Sequence, residues 1–316
     1  MERSHNGLLA RVASMYYEED MTQAHIARET GYSRSMISRF LKEAKRLGIV
    51  EICVHHPLAR RPDLEKSLRE QFDLRHVRVL DHTADDYQRT LGNVGALAAK
   101  LVEELVADGM VIGMSWGTGL AEMVRACRPQ QRRDLFFIQI IGAVGAANPA
   151  IDGAELAREL ARKFGGAYAT LPAPLFVESE AMCRALKRSR QVQDVFELAE
   201  KMDLALVGVG AVEKSFSSLL RSGYLTPEQL HEFARAGAVG DVCTIHFDIH
   251  GNLVDSPLQR RLVTIEPETL RRTPIRLGIA AGQAKAHPIL GALRAGLINA
   301  LVTDAAAASL ILQLAT

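Results

Sequence analysis

Six short apolar runs, each followed by a helical pattern, constrain the fold of this 316-residue chain more than anything else in it. The runs lie at 77–80, 110–114, 135–141, 204–209, 275–280 and 298–303. Amphipathic spacing predicts helices at 63–72, 90–107, 153–164, 226–236, 283–294 and 304–313. A continuously apolar strand is buried on both faces, and an intervening helix returns the chain so that successive strands lie parallel. The expectation is an α/β fold: a Rossmann-like, mostly parallel sheet with helices on both sides. Segment 241–265 departs from this rhythm. Its CTIHFDIHGNLV reads as two extended runs around His250, Gly251 and Asn252, a hairpin-like excursion.

The first sixty residues follow another pattern. Residues 6–18 predict a helix with Leu8, Leu9, Val12, Met15 and Tyr16 on one face. Residues 22–50, TQAHIARETGYSRSMISRFLKEAKRLGIV, read as a helix-turn-helix. The hydroxyl of Thr22 suits the N-cap of a helix running to about Glu29, Gly31 suits a left-handed turn, and Ser33 suits the cap of a second helix ending near Leu47. Ile37, Leu41, Ala44 and Leu47 fall on its inward face. Arg34, Ser35, Ser38, Arg39 and Lys42 fall on the other, mixing cations with short hydrogen-bonding groups as a major-groove helix requires. Thr22 and Gln23 join them as candidate DNA contacts. Residues 33–46 hold five cations and one carboxylate, a local charge of +4. Residues 49–54, IVEICV, alternate like a short strand, and the basic, proline-containing run 55–63 reads as a connection. The expected organisation is a DNA-binding domain at 1–56, a linker at 57–63 and an effector-binding, oligomerising domain at 64–316.

Composition narrows the function further. The formal net charge is only +1, so affinity for nucleic acid must come from a local patch. Cys53, Cys127, Cys183 and Cys243 are scattered, with no paired metal-ligand spacing, which argues against a structural zinc and fits a reducing cytosol. The N-terminal residues carry no apolar signal core, and the uncharged stretch 135–151 is interrupted by Gln139, glycines and Pro149. A cytoplasmic protein without a membrane span is expected. No cofactor or metal is implied. His246, Asp248 and His250 would share one strand face, but a partly solvated sheet face explains them better than a metal triad.

Ligands of parallel α/β sheets bind beyond the carboxyl ends of the strands. There the chain places Ser115, Trp116, Gly117, Thr118 and Gly119, a glycine-rich turn into a helix whose free amides and dipole favour an anion. The Gly-Lys-Ser/Thr ending of a P-loop is absent. Trp116 is placed either to stack on a sugar face or to pack against the helix. Gln283 and Lys285 follow the strand at 275–280; a lysine in a first helical turn opposes the dipole unless an anion is held there. Gln139, Gly142, Asn148 and Asp152 follow another strand, and their polar side chains suit sugar hydroxyls. Asp248 is a further candidate. The rigid run 171–178, LPAPLFVE, suits a pocket wall.

Taken with residues 22–50, the segments GMSWGTGL (113–120), IQIIGAVG (138–145), LPAPLFVES (171–179) and 278–312, which contains Lys285, Thr303 and Asp304, resemble the SorC/DeoR-type family of bacterial sugar-responsive transcriptional regulators. The resemblance spans nearly the whole chain. It implies a large domain similar to NagB-type sugar-phosphate isomerases, a tetramer on double-stranded operator DNA, and a small-molecule effector. Carried over by position, 115–119 and Lys285 would hold a phosphate, and Gln139 and Asp152 the sugar. The chain departs from the family pattern at Gly119 and Ala281, which leaves a free polyol or sugar acid open. The alternative is an isomerase-like enzyme with a DNA-binding appendage, with Asp152, Asp248 and Lys285 as its acid/base groups. Lys285 could also condense with an aldehyde.

Overall fold

The computed structural model describes residues 2–50, 58–81, 86–143, 149–221 and 223–315. It divides into two compact units, Met1–Pro57 and Leu58–Thr316.

The first unit holds three helices: α1 (Glu2–Tyr17), α2 (Gln23–Thr30) and α3 (Arg34–Arg46). The capping chemistry follows the sequence. Thr22 Oγ1 accepts from the His25 amide and Ser33 Oγ from the Met36 amide, at 3.3 and 3.2 Å. Gly31 closes α2 with φ of 75°. Leu9, Val12, Met15, Ile26, Ile37, Phe40, Leu41 and Ala44 form one buried cluster. Leu47 does not join it. It caps α3 and is 45% exposed, because the helix ends one residue earlier and Phe40 fills the inward position instead. Ile49 and Val50, expected to open a strand, fold back onto the carbonyl of Ala44. The rest of that expected strand lies outside the described residues.

The second unit begins earlier than the expected linker allows. The amide of Arg61 donates to Val79 O at 3.0 Å, and Pro62 starts α4 (Pro62–Phe72), where its missing N–H costs nothing. The unit continues through β1 (His76–Leu80), α5 (Tyr87–Leu105), β2 (Val111–Met114), α6 (Thr118–Ala126), β3 (Phe136–Gln139), α7 (Gly153–Phe164) and β4 (Ala167–Ala169). Then come α8 (Glu180–Lys187), α9 (Arg190–Ala199), β5 (Leu204–Ala211), α10 (Ser218–Arg221), α11 (Pro227–Arg235), β6 (Gly240–Val242) and β7 (Ile245–Phe247). It ends with α12 (Pro267–Arg272), β8 (Ile275–Ile279), α13 (Ala286–Arg294), β9 (Ala300–Asp304) and α14 (Ala305–Ala315).

Seven strands form one parallel sheet in the order β1-β9-β8-β5-β2-β3-β4, with apolar clusters on both faces. The chain moves outward from β2 through β3 to β4, then returns to place β5 on the other side of β2. The strand order therefore reverses between β2 and β5, where such folds bind ligands. The excursion at 241–265 contains two reversals. An antiparallel β6–β7 hairpin pairs with the end of β5, and a further bridge joins Phe247 to Leu253 around the expected turn.

Candidate functional site

Strand ends β2, β5 and β8 converge on a cleft. Its walls include the 115–119 turn, Gly208–Gly210 of β5, and Ile279–Ala281 with Lys285 after β8. The β2 turn needs its glycine: Gly117 has φ of 124°, a conformation closed to side chains, and delivers the chain into α6. The first amides of α6 lack helical partners and open on the cleft, beside the hydroxyls of Ser115 and Thr118.

Lys285 lies opposite in chemistry. It is not in an α-helical first turn, as its spacing suggested, but in a 3-10 turn, 283–285, entered through Gly282 at φ 91°. It is only 6% exposed, and among the described residues its ammonium has no hydrogen-bond partner. Burial pulls its pKa from 10.5 down to about 8, against the opposing field of Asp241. The loop that carries it is fixed from below. Asp304, fully buried, accepts from the Gly282 amide and from the amides of Ala306 and Ala307, the latter two at 3.0 and 3.1 Å. One carboxylate thus caps α14 and sets the Lys285 loop.

The cleft also recruits residues that the sequence did not single out: Tyr87, Arg221, Asp241 and Cys243. Asp241 is 8% exposed and accepts from the Thr244 amide at 3.1 Å. That bond closes the β6–β7 turn, in which Cys243 and Thr244 both take left-handed backbone, φ 52° and 58°. A two-residue turn of this hand normally uses glycine or asparagine, and a β-branched threonine there is strained. Burial pushes the Cys243 thiol up to about 12, so it is an inert wall and not a nucleophile. The glycine pair in LALVGVGA was the available sequence signal, since glycines inside a strand mark close approach.

Other expected contacts lie elsewhere. Trp116 is at the cleft but 6% exposed and packed in the core, which leaves little ring face for stacking. Gln139, Gly142, Asp152, Asp248 and Gln283 do not line the cleft. Gln139 is fully buried, its Oε1 accepting from Leu171 N at 3.0 Å. Gly142 packs where a side chain would meet the backbone of Pro174 and Leu175 at 2.5–2.6 Å. Asp152 caps α7 through the Ala154 amide at 2.9 Å. Asp248 binds the amides of His250 and Asn252, both at 2.9 Å, and so shapes a turn. Asn148 lies outside the described residues. His246 stacks on Phe233 with ring centroids 3.7 Å apart, and burial lowers its pKa, so it is a neutral core residue. Among the described residues no group of histidine, cysteine and carboxylate side chains is placed to hold a metal, and no helix is long and apolar enough to cross a membrane.

The nucleic-acid candidates stay together on the first unit. Arg34, Ser35, Arg39 and Lys42 are exposed along α3, with Ser38 half-buried between them. Among the described residues none of these three cations forms an ion pair, whereas Arg46 reaches Glu43 at 3.7 Å. Unpaired cations are free to meet phosphate or base edges.

A capped helix-turn-helix on one unit and a ligand cleft at the switch point of a parallel sheet on the other define a metabolite-responsive DNA-binding protein. Residues 56–313 match a family described as "Putative sugar-binding domain". The sorbitol operon regulator of Klebsiella pneumoniae is 31% identical over 97% of this chain and 98% of its own length. The deoxyribonucleoside regulator of Bacillus subtilis is 29% identical, with 96% of each chain covered. The crystal structure of full-length SorC from Klebsiella pneumoniae superposes with a TM-score of 0.73 at 30% identity, covering 97% of this chain and 99% of that one. The chain belongs to the SorC/DeoR-type family of sugar-responsive transcriptional regulators. It is a regulator and not an enzyme, and the isomerase alternative is not favoured.

Proposed function

We propose that the cleft binds a sugar phosphate, and that this ligand changes the affinity of α3 for operator DNA in the cytoplasm, with the chain acting as a homo-oligomer, a tetramer by family resemblance. The observation that carries the ligand class is Lys285: a nearly buried lysine whose ammonium has no hydrogen bond among the described residues, in the same cleft as the amino end of α6. Burial weakens this cation despite the field of Asp241, and an anion on the α6 amides adds the opposite charge that burial calls for. Arg221 adds a second cation at the wall, and Asp241 offers an acceptor to sugar hydroxyls. The relatives named as a sorbitol operon regulator and a deoxyribonucleoside regulator support a carbohydrate-derived effector. The operator contacts assigned to α3 are Arg34, Ser35, Ser38, Arg39 and Lys42, with Thr22 and Gln23 at the start of α2.

Thermal unfolding against sugar monophosphates, the matching free sugars and polyols, sugar acids and inorganic phosphate tests the reading. A ligand at a hundredfold excess over its Kd adds about 2.7 kcal/mol to the folded state. The expected outcome is a raised Tm with a sugar phosphate and none with its free sugar. The reverse order removes the phosphate. A ligand that raises Tm but leaves operator binding unchanged removes the regulatory link.

A further inference from the structure

Tyr87 lines the cleft, but its hydroxyl has no structural task there. It is the first residue of α5, whose start is fixed by the Asp86 carboxylate accepting from the Arg89 amide at 3.1 Å. Its ring is held by two neighbours. Phe216 packs against it edge-on, with centroids 6.0 Å apart and planes at 72°. The ring also covers the backbone of Gly282, where a Cβ would stand 3.3 Å from it. The residue is half-buried, and among the described residues its hydroxyl makes no hydrogen bond. Burial raises the phenol pKa, with the positive field of Arg221 opposing, so at neutral pH the group keeps its proton and can donate.

That position lies between the two parts of the cleft that favour an anion. Gly282 opens the 3-10 turn that carries Lys285. One helical turn along α5, Leu91 reaches the start of α6: its Cδ1 would stand 3.6 Å from a Cβ on Gly119. Three elements therefore line one cleft with donors. They are α6 with its free amides and the Thr118 hydroxyl, the 283–285 turn with the Lys285 ammonium, and α5 with the Tyr87 hydroxyl. A planar carboxylate offers two oxygens, whereas a phosphate monoester presents three at one tetrahedral end. Donors arriving from three elements match the second shape.

We propose that Tyr87 donates a hydrogen bond to the anionic end of the ligand, completing a three-sided site that prefers the tetrahedral phosphate of a sugar monophosphate to the planar carboxylate of a sugar acid. The assignment rests on the reading of the cleft as an anion site. A neutral hydroxyl adds a directional bond without adding charge, so it selects by shape where Lys285 selects by sign.

Trp116, the only tryptophan in the chain, sits at the cleft, so its fluorescence and thermal unfolding both read occupancy. The probes are inorganic phosphate and acetate, titrated into the full-length wild type, Tyr87→Phe and Lys285→Met. Phenylalanine keeps the ring against Phe216 and Gly282 and removes the hydroxyl alone. The wild type is expected to bind phosphate more tightly than acetate. Tyr87→Phe should weaken phosphate roughly ten- to a hundredfold, the worth of a hydrogen bond to a charged group, and leave acetate nearly unchanged. Lys285→Met should lose both. If Lys285→Met weakens phosphate and Tyr87→Phe does not, the Tyr87 assignment falls and the anion cleft stands. Equal losses of phosphate and acetate in Tyr87→Phe overturn the selection by shape. Phosphate binding that neither substitution alters, or a wild type that binds no phosphate, defeats the cleft reading and the assignment with it.

Discussion

Replacing Lys285 with methionine should stabilise the ligand-free protein while removing its response to effector. The lysine holds its proton up to 10.5 in an unfolded chain but only to about 8 in the cleft. At about 1.4 kcal/mol per pH unit, that difference costs the folded state about 3 kcal/mol at neutral pH. The side chain is 6% exposed, so solvent screens little of this. Methionine keeps the length and removes the charge. For a domain of this size about 3 kcal/mol corresponds to roughly 6–12 °C in Tm. The pH dependence gives a second check. Between about pH 8 and 10.5 the unfolded wild type binds more protons than the folded one, so wild-type stability rises across that window. The advantage of Lys285→Met is therefore full below about pH 8 and gone by about 10.5. Thermal and urea unfolding of both proteins at pH 7 and pH 10, without ligand, measure it. Equal stability at pH 7, or an advantage unchanged at pH 10, refutes the account of Lys285 as a cation that burial destabilises.

Anion binding should take up a proton above about pH 8, because the ligand restores the charge that burial removes; calorimetry in buffers of different ionisation heat reads this directly, and buffer-independent heats at pH 9 argue against Lys285 as the anion's partner. Arg39→Ala should weaken operator binding by about 1–3 kcal/mol, roughly 5- to 150-fold, if Arg39 reads a base. Fluorescence anisotropy on operator DNA checks this, and unchanged affinity removes the base contact. Asp304→Ala should cost at least about 3 kcal/mol, since it orphans the amides of Gly282, Ala306 and Ala307. An unaltered urea midpoint would show that these amides find other acceptors.

The parts legible in sequence were those governed by local rules. Caps at Thr22 and Ser33, the turn at Gly31 and the apolar strands 77–80, 110–114 and 275–280 each depend on a few neighbouring residues, and the structure places all of them close to expectation. The cleft was half legible. Its β2 and β8 loops follow from the rule that ligands sit beyond strand ends. Tyr87, Arg221 and Asp241 reach it from α5, α10 and β6, and no periodicity announces that a side excursion will fold back over the sheet. Gln139, Asp152 and Asp248 are polar groups near strand ends that each accept from a backbone amide, and those bonds show only in three dimensions. Strand β4 was missed because three residues, two of them exposed, have no apolar signature.

Several costs meet at the cleft. A nearly buried lysine at Lys285, a left-handed non-glycine residue at Cys243 and a nearly buried carboxylate at Asp241 all border it, and Thr244, next in the chain, is left-handed as well. Strain of the kind at 243–244 is worth of order 1–3 kcal/mol per residue and persists only where surrounding structure enforces it. Here the enforcement is visible: Asp241 holds the Thr244 amide, and Thr264 Oγ1 donates to Cys243 O at 2.8 Å. A ligand can shift a conformational equilibrium only through a difference in its affinity for the two states. An anion that neutralises Lys285, with hydroxyls that engage Asp241, changes the charge balance on the group that locks the strained turn. That supplies such a difference at the cleft itself. It also explains why the site should tolerate a lysine that, on stability alone, the fold would be better without.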